Sequence, residues 1–99
     1  MNARNSNLQQ VANYIENYST GNAVVVTGDT NSLYASPGEN IRVFQDQNLM
    51  KDSWVELILN GIEPREGSQP ENCDNPTTNN TCEVLDKILY EFFPLFFVS

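Results

Sequence analysis

The run Val24-Val25-Val26-Thr27, passing into Gly28-Asp29-Thr30-Asn31, constrains this chain more than any other stretch. Three β-branched valines predict a strand over residues 23–27, and an unbroken apolar run suits a strand buried on both faces. The strand is expected to stop at Gly28. Asp29 and Asn31 then stand at its C-terminal end, a carboxylate and a carboxamide delivered by a rigid element, which is a common way to place chemistry in an α/β protein. The plainer alternative is a simple turn, since Gly-Asp and Asn-Ser favour local side-chain to backbone hydrogen bonds.

Charge narrows what such a site can do. The chain has 99 residues, enough for one domain, with five Lys+Arg against 13 Asp+Glu and a net charge of −8. A chain of this size buries roughly 60–70% of its unfolded surface, so its core is small. Without a basic patch, it is not expected to bind nucleic acid by itself. A metal-dependent site still admits a phosphate, because a bound cation reverses the local sign. The sequence contains no histidine, so any chemistry that Asp29 and Asn31 would share with an imidazole is closed to this chain alone.

The first six residues, Met-Asn-Ala-Arg-Asn-Ser, lack the apolar segment of a signal peptide. The strongest apolar run, residues 92–98, is far short of the roughly 20 residues that span a bilayer, so no membrane span is expected. Cys73 and Cys82 bracket a short polar loop, which predicts a disulfide and an oxidising compartment, with free thiols as the alternative. Sequons at Asn17-Tyr18-Ser19 and Asn79-Asn80-Thr81 point the same way. Two cysteines and no histidine do not make a four-ligand zinc site.

Leu8, Val11, Ala12 and Ile15 recur at helical spacing, with Ser6 and Gln9 placed as a capping box and an exit through Ser19-Thr20-Gly21 after Tyr18. Residues 32–38 read as a loop and residues 39–47 as a helix with Ile41 and Phe44 on one face. Residues 52–59 fit a short helix capped by Asp52, with a strand as the alternative. Residues 60–81 read as a long surface loop whose acidic residues are solvated, without the regular spacing of an EF-hand. Val84 to Tyr90 predicts a second strand carrying Asp86 and Lys87. Phe44, Trp54 and Tyr34 are expected as core or cleft wall and not as a stacking platform, with Tyr34, close to the motif loop, the one exception to watch.

The segment Val26-Thr27-Gly28-Asp29-Thr30-Asn31-Ser32 resembles the Gly-Asp-x-Asn motif of the endonuclease/exonuclease/phosphatase superfamily, the deoxyribonuclease-I-like fold. The likeness extends over about residues 4–90: the helix with Asn7-Leu8-Gln9-Gln10, the loop Thr30 to Tyr34, the segment around Asp52 and Trp54, and Val84-Leu85-Asp86-Lys87-Ile88-Leu89-Tyr90 look like a fungal, secreted branch. The resemblance implies an α/β (α+β) two-sheet sandwich that hydrolyses phosphoesters with Mg²⁺, the substrates being nucleic acid, sphingolipid or inositol phosphate, and an extracellular location. It implies that Asp29 orients or deprotonates the attacking water and contacts the metal with Asn31. It implies that Asn31 hydrogen-bonds a phosphoryl oxygen as charge builds, and that Asp86 orients a catalytic histidine.

The departures from the family pattern shape the expectation as much. The family's metal-binding Asn and Glu have no counterpart before Arg4, its Ser-Asp-His end is missing, and Leu33 stands where this branch usually shows arginine. The resemblance therefore predicts part of a larger catalytic domain, followed at residues 91–99 by an unrelated apolar tail that lowers solubility. Such a chain is expected to bind Mg²⁺ weakly and to be inactive alone. The rival expectations are a small non-catalytic binding or structural domain and a truncated product without function.

Overall fold

A computed structural model describes residues 2–68 and 80–91. Six elements follow in order: α1 (Ala3–Tyr18), β1 (Val24–Asp29), α2 (Val43–Asn48), β2 (Lys51–Asp52), α3 (Ser53–Ile58) and β3 (Asp86–Glu91). The strands form one antiparallel sheet in the order β1-β3-β2. The architecture is mixed α and β, as the sequence predicts. Cys73, Asn79 and the apolar run 92–98 lie outside the described residues.

Helix α1 begins a turn earlier than the Ser6 capping box predicts. Asn2 is its N-cap, and the Asn2 side chain accepts from the Asn5 amide at 2.8 Å. An Asn at that place satisfies one of the first turn's orphan N–H groups as well as Ser6 would have done, and it wins four more residues of helix. Leu8, Ala12 and Ile15 are buried, whereas Val11 is 42% exposed, so the apolar stripe is narrower than the sequence suggests. The helix ends as expected, with Ser19 as C-cap and Gly21 at a φ of 87°.

The strand β1 departs from the sequence reading. It lies at an edge of the sheet and buries one face only: Val24 and Val26 pack against the core, while Val25 is 58% exposed. It also runs on through Gly28 to Asp29. Gly28 permits this, at a φ of 140° that a residue with a Cβ rarely adopts. Strand β3 starts at Asp86, two residues later than predicted, and Val84 and Leu85 lie outside it, both exposed. Helix α2 is likewise shorter than residues 39–47, although Ile41 and Phe44 are both buried as expected.

Helix α3 matches its prediction. Asp52 caps it, accepting from the Trp54 and Val55 amides. Asp52 also belongs to β2 opposite Leu89, so the cap is built into the sheet. One core unites Leu8, Ala12, Ile15, Tyr34, Ile41, Phe44, Met50, Val55 and Leu89. Each large apolar member contributes on the order of 1.5–3 kcal/mol by leaving water. The acids of the 60–68 segment are not simply solvated. Glu63 pairs with Arg42 at 3.0 Å, and Glu66 accepts from the Gly38 amide at 3.2 Å. Glu71 and Asp74 lie outside the described residues.

Candidate functional site

Antiparallel pairing puts Asp29, the last residue of β1, directly opposite Asp86, the first of β3. Directly opposed residues have Cα atoms about 4.5–5.5 Å apart and share a sheet face. Both aspartates are exposed, so two like charges meet with water as their main screen. Such a pair is mildly destabilising, by roughly 0.2–1 kcal/mol, and persists only because the rest of the strands pair well. Lys87 does not relieve it. Its side chain points to the opposite face, is buried, and pairs with Glu83 at 2.8 Å.

Beyond β1 the chain turns sharply. The Asn31 amide donates to Asp29 Oδ1 at 2.9 Å, and Asn31 sits at a φ of 51°, in the left-handed region that Asn tolerates better than most residues. The local turn and the motif are thus the same structure. Thr30 ties the turn to the segment before β3: its amide and its hydroxyl both donate to the Leu85 carbonyl at 2.9 Å. Asp29, Thr30 and Asn31 line one side of a cleft of about 330 Å³, and Arg4, Asn7 and Leu8 of α1 line the other. Arg4 donates to Glu39, so its charge is already balanced, and the cleft keeps the uncompensated carboxylate of Asp29. An anionic phosphoester would enter such a cleft only together with a cation.

The residues after Asn31 are held by carboxylates. The Leu33 amide donates to Glu39 Oε2 at 2.5 Å, while Arg4 holds the other oxygen of Glu39. The amides of Tyr34 and Ala35 donate to Glu83 at 2.6 and 3.4 Å, and Lys87 holds Glu83. Side chains of Lys87 and Glu83 are only 2% and 3% exposed. Tyr34 is fully buried between two cations, Arg42 at 5.3 Å and Lys87 at 5.1 Å from its ring centroid, and its hydroxyl donates to Asp52 at 2.8 Å. Burial and the adjacent Asp52 carboxylate push the Tyr34 hydroxyl well above the ordinary tyrosine range. Trp54 is half-buried against the core, with its indole N–H donating to the Asn80 carbonyl at 2.8 Å.

The structure therefore brings Asp29, Asn31 and Asp86 to one end of the β1–β3 pair. The sequence reading missed the supporting groups Arg4, Glu39, Glu83 and Lys87. A signal for one pair was present, since Glu83 and Lys87 stand at i,i+4 spacing, but that spacing reads as a solvated helix pair and gives no hint of burial beside a strand. Among the described residues, no group of three or more His, Cys, Asp or Glu side chains is placed to hold a metal ion. Hard oxygen donors are nonetheless present, and Mg²⁺ commonly takes only one or two carboxylates, completing its shell with water and substrate phosphate.

The chain is 38% identical over 86 residues to a sphingomyelinase of Mycobacterium bovis and, to the same extent, to sphingomyelinases of two Mycobacterium tuberculosis strains. The match takes in 87% of this chain but 16% of the relatives' length. No family model and no solved structure matches. These relatives are bacterial, and they do not reach the fungal branch expected from the sequence. What they show is similarity to sphingomyelinases over most of this chain, consistent with a phosphoesterase-like family.

Proposed function

We propose that this chain carries part of the active site of a Mg²⁺-dependent phosphodiesterase that acts on sphingolipid. The observation that supports it most is that Asp29 and Asn31 line one cleft while Asp86 stands opposite Asp29 in the sheet, in a segment similar to sphingomyelinases. In this reading Asp29 orients or deprotonates the attacking water. Asn31 donates its carboxamide N–H to a phosphoryl oxygen, where a fixed donor is worth roughly 10²–10³ in rate. Asp86 orients an imidazole that this sequence does not itself contain. Mg²⁺, when bound by Asp29 and Asn31, would polarise the phosphoryl oxygens. The exposure of Val25 and Ile88 on the outer face of the sheet fits the two-sheet sandwich of that family.

The 99-residue chain is proposed to be inactive alone, and the test has two arms. The chain itself, with sphingomyelin or bis-p-nitrophenyl phosphate and Mg²⁺, is expected to give no turnover. A mycobacterial sphingomyelinase whose matching 86-residue segment is replaced by this one is expected to hydrolyse sphingomyelin, and to lose that activity on Asp29→Ala. A folded chimera without turnover, or with turnover indifferent to Asp29, would overturn the reading. Retained hydrolysis of bis-p-nitrophenyl phosphate without sphingomyelin would reassign the substrate to another phosphoester.

A further inference from the structure

Three consecutive amides just after Asn31, those of Leu33, Tyr34 and Ala35, are bound by carboxylates and not by backbone carbonyls. The two carboxylates come from different sides of the molecule. Glu39 lies later in the same loop and is charge-balanced by Arg4 of α1. Glu83 precedes β3 and is balanced by Lys87, whose ammonium also donates to the Val84 carbonyl at 2.6 Å. Charge-assisted hydrogen bonds are about twice as strong as neutral ones, and each is directional. A loop that needed only to be closed would not require two buried or half-buried acids with dedicated counter-ions.

Asn31 shows what the bonds are for. Its left-handed conformation is one that an unsupported residue leaves readily, because for an L-residue it costs on the order of 1–2 kcal/mol. On its N-terminal side Thr30 is pinned to Leu85. On its C-terminal side the first fixed amide is that of Leu33. Among the described residues, no hydrogen bond engages the Asn31 carboxamide, which is left available to a ligand. We propose that Glu39 and Glu83 are positioning residues: each, neutralised by its own cation, fixes the loop after Asn31 so that Asn31 is held left-handed and its carboxamide faces the cleft. This rests on the reading of Asn31 as a ligand donor, but the geometry it asserts belongs to the chain alone.

The test is nuclear magnetic resonance on the full chain carrying Glu39→Gln, which removes the charge and leaves one acceptor for two donors. Amide exchange at Leu33 should speed up at least tenfold while β1–β3 amides keep their protection, and the φ-sensitive HN–Hα coupling of Asn31 should move away from its native value. Arg4→Gln should shift the same coupling in the same direction by less, and Arg4→Lys should restore it. A native Asn31 coupling in Glu39→Gln, whether or not Leu33 loses protection, would overturn the proposal. Should Glu39→Gln fail to fold, Arg4→Gln is decisive by itself, with an unmoved Asn31 again the overturning result. None of these readouts uses turnover, so an inactive chimera would refute the hydrolase reading and leave this one standing.

Discussion

The two faces of the three-stranded sheet obey different rules. The inward face carries Val24, Val26, Lys87 and Leu89, and the buried ammonium of Lys87 is paired with Glu83 at 2.8 Å. The outward face carries Val25, Thr27 and Ile88 with the opposed pair Asp29 and Asp86, and it leaves apolar and charged groups alike in water. A lysine is buried and an isoleucine is 54% exposed on adjacent residues of one strand. The lesson is that hydrophobicity alone does not describe the inward face: beside Val24, Val26 and Leu89 it holds a lysine, which the Glu83–Lys87–Tyr34–Asp52 cluster makes tolerable by supplying polar partners that water would otherwise have to provide.

The sharpest way to break that comparison is to mutate neighbours on opposite faces. Lys87→Ala should cost about 3–5 kcal/mol in urea denaturation, because it strands the Glu83 carboxylate in the interior. Ile88→Ala, one residue on, should cost far less, within about 1 kcal/mol. Equal costs would show that the buried pair is not the organising element. Removing both partners together, as Lys87→Met with Glu83→Gln, should recover most of the loss, since no lone charge remains.

A disulfide between Cys73 and Cys82, proposed from their spacing, would anchor the segment that carries Glu83. Closing a loop of about ten residues contributes roughly 2.5–3 kcal/mol in the chain-entropy model. Reductant should therefore lower the denaturation midpoint, and intact mass after alkylation should show no free thiol in the oxidised chain. Two alkylated thiols would rule the bridge out.

Alkali probes the inward face alone. The Tyr34 hydroxyl is held protonated above the unfolded value of about 10, so the native state keeps a proton that the unfolded chain loses. The stability linked to Tyr34 is complete below pH 10 and falls as pH rises beyond it, by up to about 1.4 kcal/mol per pH unit. Tyr34→Phe should flatten that fall. The smallest effect belongs to the outward face. Asp86→Asn should stabilise the chain by a few tenths of a kcal/mol by removing the repulsion with Asp29, and added salt should shrink the gain.

Much of this was legible from local pattern, and the rest was not, for reasons that can be named. The C-terminal end of α1, the Asp52 cap, and the delivery of Asp29 and Asn31 from a strand depend on spacing and on residues a few positions apart. The edge position of β1 depends on what lies across the sheet, which three valines cannot report. Ser6 and Asn2 are both good N-caps, and the earlier start is favoured by first-turn contacts of Arg4 with Glu39 and of Asn5 with Gly38 and Asn40. Arg4, Glu39, Glu83 and Lys87 were invisible as a group because each pairing joins a cation to a carboxylate whose other duty, holding a loop amide, leaves no trace in composition.

The pairing of Asp29 with Asp86 also decides when the site can exist. Strands β1 and β3 are consecutive in space but separated by more than fifty residues of chain, and closing a loop of that length costs about 3–4 kcal/mol of chain entropy before any strand contact repays it. No local fragment can therefore preassemble the two carboxylates, whatever its helical content. The site should appear late in folding, together with the slow, non-local zippering of the sheet, and it should be lost first when the ends of that pairing fray. The two aspartates at the cleft end of β1 and β3 are then a direct kinetic reporter: their meeting marks the completion of the fold.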